Sequence, residues 1–352
     1  MNTTRSQGKI RVLVVDDSAF IRRAIIRMFE QSPDIQVIDV AADGEMAIDL
    51  IKKLRPDVVT LDVQMPVLDG LSALERIMKE CPTPVVMLSC LTGKGGDKTL
   101  KALELGAVDF IDKTACGGPM DISALARELT AKILVAARVD MLKLASEKAR
   151  GPVVASVAPL TTAIDTEVVV IGTSTGGPPA LQAVLGKIPA NFPCPILIVQ
   201  HMPEGFTASL AERLNRLSPL AVKEATDGER VLPGGAYLAP AGRHLKLWRS
   251  ADELHVRLDQ APETALHRPS VDALLESAAA VCGKRSLAVV LTGMGKDGSV
   301  GAQALKRAGG RVVVEAEETA IVFGMPKAVM AAVQVDATVP LHQVADTIIR
   351  MV

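Results

Sequence analysis

Five side chains in the first third of the chain have the chemistry to handle a phosphoryl group. Asp16 and Asp17 follow the apolar run 10-IRVLVV-15, Asp62 closes 57-DVVTLD-62, Ser89 closes 84-PVVMLS-89, and Lys113 follows 108-VDFID-112. Three carboxylates in one pocket repel each other and raise each other's pKa unless a cation sits among them. Mg²⁺, a hard ion that takes oxygen ligands, suits Asp16, Asp17 and Asp62. One carboxylate can then attack phosphorus and become an acyl phosphate. Asp62 is the candidate nucleophile because it stands alone at its strand end. Ser89 and Lys113 would hold the transferred phosphoryl oxygens. Any one of these acids also reads as a turn or cap residue; five polar groups at the ends of four strands do not.

A second group lies further on. Gly172-Thr173-Ser174-Thr175-Gly176 fits G-x-S-x-G between an apolar run and a helix opened by Pro178 and Pro179. Small neighbours let such a turn lift a serine Oγ clear. The same pattern serves a plain glycine turn or a phosphate-wrapping loop, although no lysine follows in the P-loop position. A nucleophilic serine needs a base and an orienting acid. His201 follows 195-PILIVQ-200, and Asp297 lies in 291-LTGMGKDG-298, after 286-SLAVVLT-292. All three leave the carboxyl ends of strands. His267, in 267-HRPSVDALL-275 ahead of a helix capped by Ser270, is the rival base. His244, His255 and His342 read as structural or exposed. Oxyanion donors would be the backbone N–H of Thr175 or of Met294.

These residues need a scaffold that brings strand ends to one edge. The first third alternates apolar strands with helical stripes such as Ala47, Leu50, Ile51 and Leu54, which implies a parallel sheet covered by helices on both faces. Its last helix is expected to be long, with a stripe from Ile122 through Leu125, Leu129, Ile133, Ala137 and Met141 to Leu144. The Pro-, Ala-, Ser- and Thr-rich stretch 151–165 reads as a linker. The rhythm then resumes at 167-EVVVIG-172 and ends with 311-RVVVEA-316. Residues 221–258 carry Gly-Gly and Pro-Gly turns around alternating runs, the mark of a β-hairpin inserted into the wound sheet. The expected fold class is therefore α/β in two domains, 1–150 and 166–352, each a doubly wound parallel sheet.

Composition narrows the function further. The 352 residues carry 39 Lys plus Arg against 40 Asp plus Glu, a formal charge of −1, so nucleic acid is not attracted globally. Aromatics make up 2% of the chain, too few for a base-stacking surface. The five cysteines form no Cys-x-x-Cys pair, as expected of a reducing cytoplasm. No apolar run approaches the ~18 residues of a membrane span, so no membrane insertion is expected.

VLVVDDS, TLDVQMPVLDG, VVMLS and GAVDFIDK resemble the receiver domain of two-component response regulators, over about residues 9–127. The resemblance implies a flavodoxin-like fold, Mg²⁺-dependent phosphorylation of Asp62 by a histidine kinase, and Phe110 as the aromatic that changes packing. Receivers usually carry proline after this lysine; Thr114 stands there instead, which disfavours a cis bond at that loop. IGTSTGGPPAL, VQHMPEGFTASLAERL, HRPSVDALL and LTGMGKDGSVGAQALKRAGG closely resemble the catalytic domain of the chemotaxis protein-glutamate methylesterase family, CheB. That likeness implies demethylation of glutamate methyl esters on chemoreceptor cytoplasmic helices, deamidation of receptor glutamines, and a cytoplasmic protein whose esterase is released by phosphorylation. It puts the family's serine, histidine and aspartate on Ser174, His201 and Asp297, and its oxyanion amide on Met294. The same triad would serve an amidase or peptidase. A non-enzymatic second domain that binds DNA or a partner is the other alternative, and no basic helix-turn-helix stretch supports DNA.

Overall fold

The computed structural model describes residues 8–89, 95–113, 122–141 and 166–352. The chain divides into two compact units, Met1–Ala145 and Ser146–Val352. The linker expected at 151–165, Thr114, and the far end of the helical stripe at Leu144 lie outside the described residues.

The first unit alternates β1 (Ile10–Val15), α1 (Ala19–Glu30), β2 (Ile35–Ala41), α2 (Gly44–Leu54), β3 (Val58–Asp62), α3 (Gly70–Glu80), β4 (Val85–Ser89), α4 (Gly95–Leu105), β5 (Asp109–Asp112) and α5 (Ile122–Ala136). Strands pair in the order β2-β1-β3-β4-β5, all in parallel. This is the doubly wound order in which ligands bind at the carboxyl ends of the strands. Every residue of β3 and β4 is buried, because helices cover both faces. Three helices open on side-chain caps: Ser18, Asp43 and Asp69 accept from the amides of Ile21, Met46 and Ser72. The helix α5 is shorter than its stripe suggests. Arg138 and Val139 donate to carbonyls three residues back, so the last turn tightens and the helix closes at Ala136.

The second unit contains β6 (Val168–Thr173), α6 (Gly177–Leu185), β7 (Ile196–Gln200), α7 (Thr207–Leu217), β8 (Ala221–Glu224), β9 (Gly235–Leu238), β10 (His244–Ser250), β11 (Glu253–Asp259), α8 (Val271–Cys282), β12 (Ser286–Val290), α9 (Ser299–Arg307), β13 (Arg311–Glu315), α10 (Met325–Ala332), β14 (Ala337–Val339) and α11 (Leu341–Met351). Seven strands form a parallel sheet in the order β14-β13-β12-β6-β7-β9-β8. The winding starts at β6 and runs outward both ways, so the topological switch lies between β6 and β12.

The hairpin at 221–258 differs from its expected form. β10 and β11 pair antiparallel as a separate two-stranded sheet, while β8 and β9 join the main sheet in parallel. Leu245, Leu247, Val256 and Leu258 turn inward to the core, and the Leu247 amide donates to Ser277 Oγ on α8. The pair therefore packs on a helix face rather than extending an edge. Trp248 lies on its outer side, 40% exposed, its ring 5.1 Å from that of His255.

Candidate active site and acid pocket

In the first unit the strand ends gather the expected side chains. One carboxylate oxygen from each of Asp16, Asp17 and Asp62 lies within 4.8 Å of the others. Lys113 Nζ reaches Asp16 Oδ2 at 3.0 Å and Asp62 Oδ2 at 2.7 Å. Asp62 is 2% exposed, and α3 starts directly against it: a Cβ on Gly70 would sit 1.9 Å from the Asp62 carbonyl oxygen. Burial raises the Asp62 pKa, and the Asp16 charge adds to it, while Lys113 opposes both. Burial also works against the Lys113 ammonium, but its bonds to Asp62 and Asp16 outweigh that and hold its pKa above the ordinary value. Three oxygens around one cation form a donor set of the right kind for a hard divalent ion. Ser89 Oγ is hydrogen-bonded to Thr99 Oγ1 on α4 at 2.6 Å. Phe110 is buried, with Lys132 Nζ 5.4 Å from its ring centroid.

In the second unit Ser174 follows β6 at a sharp turn. Gly176 has φ +79°, a left-handed conformation that a side chain would strain, and α6 begins one residue later with proline in its first turn. Thr173 and Gln200 are paired across β6 and β7, so Ser174 and His201 are the next residues out on neighbouring strands. His201 Nε2 lies 2.7 Å from Asp297 Oδ2. The carboxylate also accepts from Ser270 Oγ and from the amides of Val271, Asp272 and Gly298, at 2.7–3.1 Å. Three of those donors belong to the start of α8, where the helix dipole favours an anion. Burial alone would raise the Asp297 pKa; the His201 partner and the amides overcome it and hold the group well below the usual carboxylate range.

An ionised Asp297 can only accept, so Nε2 carries the proton that faces it. Nδ1 is thereby left with a lone pair that can accept a proton, and it is buried without a hydrogen-bond partner among the described residues. No hydrogen bond joins Ser174 Oγ to the imidazole among the described residues, a looseness common before substrate binds. The glycine loop after β12 packs on the serine: a Cβ on Gly293 would sit 2.9 Å from Ser174 Cβ. The Ser174 amide donates to Thr292 O, and the Met294 amide makes no hydrogen bond among the described residues. Thr175, the other oxyanion candidate, accepts through its carbonyl from Thr292 Oγ1. His267 stacks on His201 with ring centroids 4.1 Å apart. His244 is fully buried, and its Nδ1 accepts from the Ser270 amide.

Two acids at this site escape a reading of the sequence. Asp272 accepts from the Gly301 amide, and burial together with the neighbouring Asp297 charge pushes its pKa up to about 6. Glu315 is fully buried at the end of β13, accepting from the Thr292 amide at 2.8 Å and Thr319 Oγ1 at 2.9 Å. It thus anchors the loop that carries Gly293 and Met294. Its place at a strand end on the same edge is the signal that could have found it. Asp272 has no comparable signal, since a first-turn acid usually only complements the helix dipole.

A family model for the CheB methylesterase matches residues 169–348, and one for the response regulator receiver domain matches residues 12–123. The protein-glutamate methylesterase/protein-glutamine glutaminase of Halalkalibacterium halodurans is 46% identical over 344 residues, covering 98% of this chain and 99% of its own. Its namesake from Pectobacterium atrosepticum is 46% identical over 345 residues, covering 98% and 97%. Among solved structures, the Thermotoga maritima CheB methylesterase catalytic domain shares 46% identity, covers 53% of this chain and 99% of its own, and superposes with a TM-score of 0.52.

Proposed function

The chain belongs to the CheB methylesterase family and carries a receiver domain ahead of the catalytic one, and on that premise we propose how its residues divide the work. The protein is a serine esterase regulated by phosphorylation. Its substrates are glutamate methyl esters on chemoreceptors, and glutamine side chains of the same receptors are deamidated at the same site. The observation that carries this reading is the His201–Asp297 pair on the rim shared with Ser174, with the second imidazole nitrogen buried and, among the described residues, without a hydrogen-bond partner.

Ser174 Oγ attacks the ester carbonyl carbon while His201 Nδ1 takes its proton. The carbonyl oxygen becomes an anion facing the Met294 amide, with the Thr175 amide as the second candidate donor. Asp297 stabilises the imidazolium. The C–O bond to methoxide breaks, His201 returns the proton, and methanol leaves. Water, deprotonated by the same nitrogen, hydrolyses the acyl-serine and releases glutamate. With a glutamine substrate, ammonia leaves in place of methanol.

A histidine kinase of the chemotaxis type would phosphorylate Asp62. Mg²⁺, held by Asp16, Asp17 and Asp62, would neutralise phosphoryl charge when bound. Lys113 and Ser89 would then contact phosphoryl oxygens, which requires Ser89 to leave Thr99. Phosphorylation adds charge and acceptors at a buried point and relieves inhibition of the serine site. No helix among the described residues is long and apolar enough to cross a membrane.

The test is methanol release from methylated receptor, with and without a phosphodonor, for the wild type and Ser174→Ala. Release that rises with phosphodonor and disappears in the variant is expected. Deleting residues 1–150 is expected to raise basal release. Equal rates for the truncated and the unphosphorylated intact protein would rule out inhibition by the receiver.

A further inference from the structure

The ladder between β6 and β7 ends where the chemistry begins. The His201 amide donates to Thr173 O at 3.1 Å. One residue later the chain after β6 turns away to form the serine elbow, where the Ser174 carbonyl accepts from the Gly177 amide at 2.7 Å within its own turn and no main-chain bond crosses from it to His201. Gln200 fills this gap. The residue is 2% exposed, and its Nε2 donates to Ser174 O at 3.0 Å and to His201 O at 2.8 Å. Both acceptors are carbonyls, which cannot donate. The amide orientation is therefore fixed by chemistry, because the flipped form would set oxygen against two oxygens.

That orientation has a cost on the other side. Gln200 Oε1 is buried with no hydrogen-bond partner among the described residues. It lies against Gly177, where a Cβ would come within 1.9 Å of Oε1 and 2.3 Å of Thr173 Oγ1. An unsatisfied buried acceptor calls for an explanation. A methionine of similar length would fill the space without the orphan. What methionine lacks is the pair of donors that ties one residue to the other.

We propose that Gln200 is a positioning residue: its carboxamide clamps the main chain of Ser174 to that of His201 and so sets the approach of hydroxyl to imidazole, with Gly177 supplying the space. This deepens the reading of Ser174 and His201 as nucleophile and base, and it rests on that reading. Ser174 Oγ and His201 make no hydrogen bond to each other, so their spacing is set by the backbone. A displacement of about 1 Å in such a pair costs about 10²-fold in rate. Gln200 touches no substrate; its effect falls on kcat and not on KM.

The experiment compares the full-length wild type with Gln200→Met, Gln200→Glu and Ser174→Ala. It measures kcat and KM for methanol release from methylated receptor, the rate of Ser174 labelling by a fluorophosphonate, and the melting temperature. Gln200→Met is expected to lower kcat by about 10- to 10²-fold with KM within about twofold, and to slow labelling in parallel. Gln200→Glu adds a pH signature that a structural role would not give. Its protonated acid can donate one bond, and its carboxylate none, so its kcat relative to wild type should rise about tenfold from pH 8.5 to pH 6. A Gln200→Met kcat within twofold of wild type overturns the clamp where Ser174→Ala is inactive. If Gln200→Met does not fold, a flat pH ratio for Gln200→Glu overturns it instead. Full methanol release by Ser174→Ala removes the underlying reading and the clamp with it.

Discussion

The two units solve the same geometric problem in opposite electrostatic ways. Each gathers polar side chains at the carboxyl edge of a parallel sheet. In the first unit, three carboxylates gather beside a lysine that pairs with Asp16 and Asp62, so the charge of the exposed Asp17 is left over beside a buried pair. In the second, the carboxylate Asp297 is surrounded by five donors. An undercompensated pocket changes state when a cation or a phosphoryl group arrives. A saturated one holds its partner in place through every turnover. The difference teaches that burial alone says little about what an aspartate does; the number of donors around it decides whether it is a switch or a support.

The largest effect expected is on chemistry. Ser174→Ala should lower methanol release by about 10⁵-fold or more, as loss of a serine nucleophile does elsewhere, without lowering the melting temperature by more than a few degrees. Asp297→Asn should lower it by about 10⁴-fold, because an amide neither accepts from every donor nor stabilises the imidazolium. A comparison of stability then sharpens the contrast. Asp297→Asn should destabilise the second unit by about 2–4 kcal/mol, through donors left buried and unpaired. The same exchange at Asp62 removes repulsion, and in metal-free buffer it should stabilise the first unit by about 1 kcal/mol while abolishing the response to phosphodonor. Denaturant titration of both variants would expose a failure: the same sign at both sites would remove the distinction drawn above.

The smallest effect concerns Asp272. Its pKa is raised to about 6, so the native state holds a proton that the unfolded state has released above about pH 4. Stability from this group is therefore present at low pH and lost as pH rises through about 6. Asp297 runs the other way: its depressed pKa contributes stability above about pH 4 that is lost on stronger acidification. Asp272→Asn should raise the melting temperature at pH 8 by about 2–4 °C and leave it unchanged at pH 4. Melting curves that differ equally at both pH values would contradict the assignment.

Strands buried on both faces were legible because short, mostly apolar runs bounded by polar or turn residues leave few other readings. β1, β3, β4, β6 and β7 are of this kind. β8, β9 and β14 were not, since a run of three or four residues holds no period of its own and owes its conformation to the neighbouring strand. The helix end at Ala136 was hidden for a related reason: an apolar stripe continues past the point where the last turn tightens. At the second site, Ser174, His201 and Asp297 announced themselves by leaving strand ends. The choice of Nε2 for the aspartate, the support from Glu315 and the bridge made by Gln200 depend on which side chains meet across strands, and spacing along the chain does not encode that.

The outer face of the hairpin has a practical consequence. Trp248 is the only indole in the chain and Tyr237 the only phenol, and both belong to the second unit. Near-ultraviolet emission therefore originates from one half of the molecule, while ellipticity reports on both. Melting of the first unit would reach a spectroscopist as lost ellipticity with steady fluorescence, so the two halves can be followed separately in a single unlabelled sample.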